Sequence, residues 1–558
     1  MPTRPSRLAA LVLALPLLTG VALAEVPAAP GKGQVFSEQV EVNVVNLEVF
    51  TTDRNGKPVT DLTREDFEVL EDGRPVVLTN FYAAEKEVRS GAAAPAPRGA
   101  STPTASSAPP GRPEGQRLHL IVFVDDVNTV PEHRNRMLAQ LGDFFDRTLE
   151  PGDVVMLVRY DGVPRIVRPF TGDRGQLKGD LAALAKLSGD IGKRQASYQS
   201  AVEYLREAIE GAGGADNPAV QGAVETYADS EAHLLLGTLT ALDQTVGALA
   251  GVPGRKAVVY LADGIPTVPG EDLFTALTSR PDFVAKPGST SYLGSRGYDP
   301  AARYRDVTAH AARNHVSFYP LSPAGTPGGA SRVGNDRSAN YQNSLKFLAE
   351  ETGGRAILNV GGDARADFAR LTEDFSQYYS LGYTPPRHGD GVQHRVEVKV
   401  KRRGVALRYW QWYKDKPLVE VVADRTAAAM LFGLEDNPLG ATLSVGIQTE
   451  MVNGGFFQVP VKVSIPIAKL TLLLDGDSRV GHVRLFVVAS GNGETTPVKT
   501  SETEIRIPEA KFAAGAMPDY VHEVRITLKP GEYALGVGIR DDLAAATSYI
   551  KGTVKAGR

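Results

Sequence analysis

The stretch His119-Leu120-Ile121-Val122-Phe123-Val124-Asp125-Asp126-Val127-Asn128-Thr129 decides how this chain is read. A run of apolar, strand-forming residues ends abruptly in a carboxylate. Ala257-Val258-Val259-Tyr260-Leu261-Ala262-Asp263-Gly264 repeats the pattern. Helical periodicities lie between such runs; in one, Met137, Leu138, Leu141, Phe144, Phe145 and Leu149 recur at spacings of three and four. Strands alternating with helices predict a doubly wound, mostly parallel α/β sheet. Its ligand site belongs at the carboxyl ends of the strands, where Asp125 and Asp263 stand.

Working outward, strand candidates fall at 119–126, 154–160, 165–170, 256–263, 316–321 and 378–384, and further helices at 231–250, 340–352 and 363–377. This defines an α/β domain over 117–416. Residues 172–228 and 286–300 are longer than ordinary connections, and such insertions often carry binding surfaces. Before the domain, 35–85 reads as a small β domain with turns at Asp53-Arg54-Asn55-Gly56 and Glu71-Asp72-Gly73. Asp53, Asn55 and Asp61 lack the glycine and glutamate spacing of an EF-hand and read as plain turns. Residues 86–116, rich in Ala, Pro, Ser and Gly, read as a linker. After the domain, 417–558 shows short alternating strands (Val459, Val461, Val463, Ile465; Val524, Ile526, Leu528; Tyr533, Leu535, Val537, Ile539), the pattern of a β-sandwich. The cluster Tyr409, Trp410, Trp412 and Tyr413 reads as interdomain packing or as a sugar or partner platform.

The 558 residues exceed what one core can hold. A net charge of −4 without a basic stripe argues against a dedicated nucleic-acid binder. The absence of cysteine excludes disulfides and thiolate metal sites. Arg4 and Arg7, the apolar run Leu8–Ala22 and the small-residue site Ala22-Leu23-Ala24 form an export signal over 1–24. The run is shorter than the roughly 20 residues of a membrane span. The expectation is an exported bacterial protein, periplasmic or secreted, with no transmembrane span after signal cleavage.

Three chemistries fit the strand ends. In the first, Asp125, Thr129 and Asp263 supply oxygen ligands to a hard divalent cation, Mg2+ or Mn2+. In the second, Asp125 is the nucleophile of a phosphotransferase with the pattern D-x-D-x-T, but Val127 occupies the place of the second acid and cannot move a proton. In the third the residues are structural: Thr129-Val130-Pro131-Glu132 is a capping box and Asp263-Gly264 an ordinary turn. The motifs of zinc proteases, serine hydrolases and phosphate-binding loops are absent, and the nine histidines show no close metal-ligand pairing.

The pattern resembles a von Willebrand factor A domain, which carries D-x-S-x-S after its first strand, a threonine from a middle loop and Asp-Gly after its fourth strand. Asp125 and Thr129 match the first motif, with Val127 in place of the first serine, and Asp263-Gly264 matches the last. Thr226 and Ser230 lie at plausible positions for the middle hydroxyl. More of the chain resembles exported, acidobacterial von Willebrand factor A-related proteins. That resemblance rests on Val59–Val69, on 125–129, on Gly254-Arg255-Lys256 and on Tyr378-Tyr379-Ser380-Leu381-Gly382-Tyr383-Thr384-Pro385.

The resemblance implies a non-enzymatic protein-interaction module that meets the acidic side chain of a protein partner through a degenerate metal site, with Asp126 and Asn128 as second-layer or alternate ligands. Alanine at Asp125 is then expected to abolish metal-dependent binding and leave the fold intact. The alternatives are a metal-assisted phosphohydrolase and a metal-independent structural envelope protein.

Overall fold

The computed structural model describes residues 44–84, 112–189, 191–210, 218–279, 300–324, 332–360, 364–387, 389–451, 455–513 and 519–557. The expected export signal, most of the linker and most of the 286–300 insertion lie outside these residues.

Four strands come first: β1 (Val45–Thr52), β2 (Phe67–Glu71), β3 (Arg74–Val76) and β4 (Leu78–Ala84). The turn between β2 and β3 is the expected one, with Asp72 and Gly73 at φ of 49° and 77°. The α/β layer follows as β5 (Leu118–Asp125), α1 (Pro131–Thr148), β6 (Val154–Tyr160), β7 (Pro164–Thr171), α2 (Arg174–Leu184), α3 (Ile191–Glu210), α4 (Pro218–Ala248), β8 (Arg255–Leu261), α5 (Glu271–Thr278), α6 (Pro300–Arg313), β9 (Val316–Leu321), α7 (Arg332–Glu351) and α8 (Arg365–Ser376).

Its five strands are ordered β7-β6-β5-β8-β9. β5 runs parallel to β6 and β8, and β8 to β9; only β7 is antiparallel. This is the doubly wound sheet expected from the sequence, and it sets β5 beside β8 with Val122 opposite Val259. Alternate side chains of β5 feed two cores, because successive residues of a strand point to opposite faces. Leu118, Leu120, Val122 and Val124 pack on α1 and α8 through Met137, Leu141, Phe145, Phe368 and Phe375. Ile121 and Phe123 face α4, α6 and α7 through Leu239, Leu242, Val307 and Leu345. Every residue of β5 and β8 is buried, which explains why both read as continuous apolar runs.

The sixth strand candidate does not join this sheet. β10 (Tyr378–Tyr383) lies antiparallel between β1 and β4. β11 (Gln393–Val400) pairs with β2, β12 (Ala406–Arg408) with β1, and β13 (Trp412–Lys414) with β11. Two four-stranded sheets, β12-β1-β10-β4 and β13-β11-β2-β3, result. They enclose Leu47, Val49, Phe67, Leu381, Val396, Trp410 and Tyr413. Trp410 and Tyr413 are therefore core residues, and the Trp410 ring meets His315, just past α6, at 4.7 Å. Trp412 stays 40% exposed. Strand pairing is non-local, so the strand-forming residues of 378–384 say nothing of their partner.

Past residue 417 the chain opens with a helix, α9 (Leu418–Phe432), which the expectation of an all-β segment missed. Its valines and alanines carry weak helical periodicity because both sides are covered. Val422 and Ala429 pack on Phe486 and Tyr549, while Ala428 and Phe432 join the second core of the α/β layer. Gly251 admits this contact, since a Cβ there would stand 2.1 Å from the Asp424 carbonyl oxygen. The remaining strands form two antiparallel sheets, one centred on 457–465 and 520–528, the other on 478–491, 499–508, 531–541 and 546–556. Val459, Val461, Val463, Leu485, Val487, Val537 and Ile539 fill the space between them, as in a β-sandwich.

Candidate functional site

The adjacency of β5 and β8 brings the two carboxylate loops together, and the Asp263 N–H donates to the Asn128 carbonyl at 3.0 Å. Asp125, at the end of β5, is fully buried. Its Oδ1 accepts the N–H groups of Val127 and Asn128, both at 3.0 Å. Its Oδ2 accepts Asn128 Nδ2 at 2.7 Å and the Tyr260 hydroxyl at 2.6 Å. Burial raises this carboxyl to about 6, against the pull of those hydrogen bonds. Both oxygens thus face inward and are engaged.

Asn128 passes the network on. Its amide N–H also donates to Thr238 at 2.9 Å, and its carbonyl accepts from Arg194 of α3. The other arm of Arg194 donates to the Tyr341 hydroxyl at 2.6 Å and to Glu231 at 3.1 Å. Glu231 is 2% exposed and also accepts the Tyr227 hydroxyl and, at 2.8 Å, the Gly270 N–H at the start of α5. Arg337 of α7 donates to Tyr227 at 2.7 Å and to Tyr341 at 2.9 Å. Burial works to raise the Glu231 carboxyl, but the Arg194 and Arg337 charges overcome it and hold it below its usual range. This layer draws on α3, α4, α5 and α7, of which α3 and the start of α4 belong to the long 172–228 insertion. Its members are spread over 194–341, so the sequence offered no local motif by which to find it.

Asp126 is 2% exposed and bound by two guanidinium groups, Arg134 at 2.7 Å and Arg159 on the other oxygen. Thr129 is buried and donates to the Leu261 carbonyl at 3.3 Å. It is not the helix cap that a capping box requires: α1 is capped at Val130, without a side-chain cap of its own. The acceptor comes from the loop after β8 instead, because Asp263 Oδ2 takes the Val130 N–H at 2.8 Å. His133 Nδ1 lies 2.9 Å from Asp263 Oδ1, a bond that raises the affinity of the imidazole for a proton.

Thr226 and Ser230 are exposed on α4, which runs unbroken from Pro218 to Ala248. The Thr226 hydroxyl donates to the Gly222 carbonyl at 2.7 Å, a bond within its own helix. The structure does not bring these two to the strand ends. Thr238, three turns further along α4, is the hydroxyl that reaches Asn128.

This donor set does not fit a divalent cation. Val127 offers no ligand atom, both Asp125 oxygens accept protein donors, and a guanidinium already lies against Asn128. A metal ligand must present a free lone pair, and four protein donors have committed those of Asp125. An acidic group with metal-ligand spacing occurs instead in the β11–β2 sheet, where ligand atoms of Glu71, Asp72 and His394 lie within 4.8 Å of one another.

No protein-family model and no curated protein matches the chain. Solved structures do. BatB from Bacteroides thetaiotaomicron is 11% identical, covers 47% of this chain and 97% of its own, and has a TM-score of 0.23. Proximal thread matrix protein 1 from the mussel byssus, with a zinc-occupied MIDAS motif, is 10% identical over 47% of this chain and 48% of its own, with a TM-score of 0.21. The PilB minor pilin from Streptococcus sanguinis is 14% identical over 48% and 63%, with a TM-score of 0.24. At these scores the likenesses say nothing of activity, and the architecture rests on the strand order and register above. Among the described residues no helix is long and apolar enough to cross a membrane.

Proposed function

We propose that this chain is a non-enzymatic, exported interaction protein whose strand-end site is held together by its own cation, Arg194, in place of a divalent metal. The observation that carries this reading is the complete engagement of Asp125, with four protein donors on two oxygens and Asn128 linking it to Arg194. A phosphohydrolase needs one carboxylate free to attack and another free to move a proton. Asp125 is fully buried, and Asp126 is clamped between Arg134 and Arg159. The partner surface in this reading is the 172–228 insertion that covers the site, which leaves Leu187 and Tyr204 43% and 52% exposed.

The test is calorimetric titration of the whole chain with Mg2+, beside a turnover assay with a generic phosphoester. The expected result is no turnover and no Mg2+ binding that depends on Asp263. Turnover lost in Asp126→Asn, or Mg2+ binding lost in Asp263→Asn, would restore the enzymatic or the metal-bearing reading respectively.

A further inference from the structure

The base of the α/β sheet, opposite the strand-end acids, gathers three basic side chains. In the register His119 of β5 stands opposite Lys256 of β8, and Lys256 opposite Val316 of β9, the residue after His315. Alternation along β5 puts His119 on the face of Ile121 and Phe123, against which Ala428 and Phe432 of α9 also pack. His119 and Lys256 are each 7% exposed.

Both imidazoles belong to seams between parts of the molecule. The His119 ring meets Phe170 of β7 edge-on at 5.1 Å, and Phe170 meets Phe432 of α9 at 5.2 Å. The His315 ring meets Trp410 of the core between the two four-stranded sheets. On its other side α9 packs on Phe486 and Tyr549, so its hold on the α/β layer is also a hold on the C-terminal strands.

Neither ring has an acceptor ready for a second N–H. The Nδ1 atoms of His119 and His315 are both enclosed, with no hydrogen-bond partner among the described residues. A neutral imidazole can leave one nitrogen as a bare lone pair, whereas an imidazolium carries N–H on both and needs two acceptors.

The surrounding charges oppose a proton as well. His119 faces Lys256 and Arg117, and His315 faces Lys256 and Lys416. Lys256 donates to the Val252 carbonyl at 2.9 Å and feels Lys416, Glu48, Asp424 and Arg425. The two acids of this set are already engaged, Asp424 with Lys416 at 2.5 Å and Glu48 with Arg255 at 3.0 Å. Burial and these cations push the His119 imidazole down to about 4 and that of His315 down to about 3.

We propose that His119 and His315, set against Lys256 and Lys416, make the base of the sheet an acid-sensitive joint, through which falling pH loosens the hold of the α/β layer on α9 and on Trp410. A proton enters either ring readily only when the seam opens and the nitrogen meets water, so acid favours the opened state. Both groups bind a proton less readily in the closed joint than at the ordinary 6.5. Their contribution is therefore complete above about pH 6.5 and is lost as pH falls from there toward the folded values. The His133–Asp263 pair at the other end of the sheet responds in the opposite direction.

The experiment uses the whole chain. Hydrogen exchange in α9, corrected for its intrinsic rate, is expected to show roughly tenfold or more opening at about pH 5 than at about pH 7.5. The double variant His119→Gln, His315→Gln and the single variant Lys256→Met are expected to reduce that acid response. His133→Gln is expected to leave it in place. If the double variant fails to fold, the wild-type chain with labelled histidines still decides, because His119 and His315 are expected to keep the resonances of neutral imidazole at about pH 5. Exchange in α9 that does not rise in acid, an acid response that survives undiminished in the folded variants, or titration of His119 and His315 near 6.5 in the folded chain would each overturn the proposal.

Discussion

Asp125 shows how a carboxylate at a strand end can be satisfied wholly by protein donors. Its position at the end of β5 follows from the sequence, but its four donors come from the next three residues and from Tyr260 on β8. Alanine there would strand the Tyr260 hydroxyl, the Asn128 amide and two backbone N–H groups in a dry interior. Each unpaired buried donor costs about 1–3 kcal/mol, partly offset by removing a buried carboxylate. Asp125→Ala should therefore lower stability by about 3 kcal/mol, read as a fall in the denaturation midpoint. This replaces the sequence-level expectation that the fold would be untouched, and a variant that melts like the wild type would show the network to be dispensable.

At the scale of the element, α1 depends on a neighbour for its start. Val130 has no side-chain acceptor, and Asp263 supplies one from the loop after β8. His133 in the first turn pairs with the same carboxylate, and its folded affinity for a proton is raised from the ordinary 6.5. The sign follows from linkage: the pair's contribution is fully present below about pH 6.5 and is lost as pH rises through the folded value. Thermal melts between about pH 5.5 and 8.5 should show this loss in the wild type. Asp263→Asn keeps an acceptor for Val130 and should flatten the dependence while lowering the His133 titration midpoint. An unchanged midpoint would show that Asp263 does not set it. α9 makes the complementary point: an apolar helix buried between two layers lacks the one-sided periodicity by which helices are read.

At the scale of the whole molecule, strands that precede the α/β layer in sequence pair with strands that follow it. Strands from 45–84 pair with strands from 378–408, residues 338 apart in the pair Val45 to Tyr383 (383 − 45). A fragment cut at 117–416, the boundaries the sequence suggests for the α/β domain, leaves β10 and β11 without β1, β2 and β4. It would expose Leu381, Tyr379, Val396 and Val398, which are buried in the intact chain. We expect that fragment to aggregate or to melt well below residues 44–558, and to be rescued by co-expression with residues 44–84. A soluble, monomeric 117–416 fragment with an unchanged melting temperature would contradict the importance of this pairing.

The sequence by itself determined the α/β core and its strand-end acids, because fully buried parallel strands and amphipathic helices imprint local periodicities. It determined the β-sandwich strands and the Asp72-Gly73 turn for the same reason, since alternation and turn chemistry are properties of neighbouring residues. Only the tertiary structure decided what Asp125, Asp126, Thr129 and Asp263 do. Asn128 and Arg134 are close in sequence, but Tyr260 and Arg159 are brought to these acids by sheet adjacency, and Arg194 is brought to Asn128 by a helix of the insertion. The tertiary structure likewise exposed Thr226 and Ser230, chose the partners of β10 and gathered Glu71, Asp72 and His394 from two segments. Long-range pairing and side-chain satisfaction are settled by which surfaces meet, and no window of sequence contains both sides of such a contact.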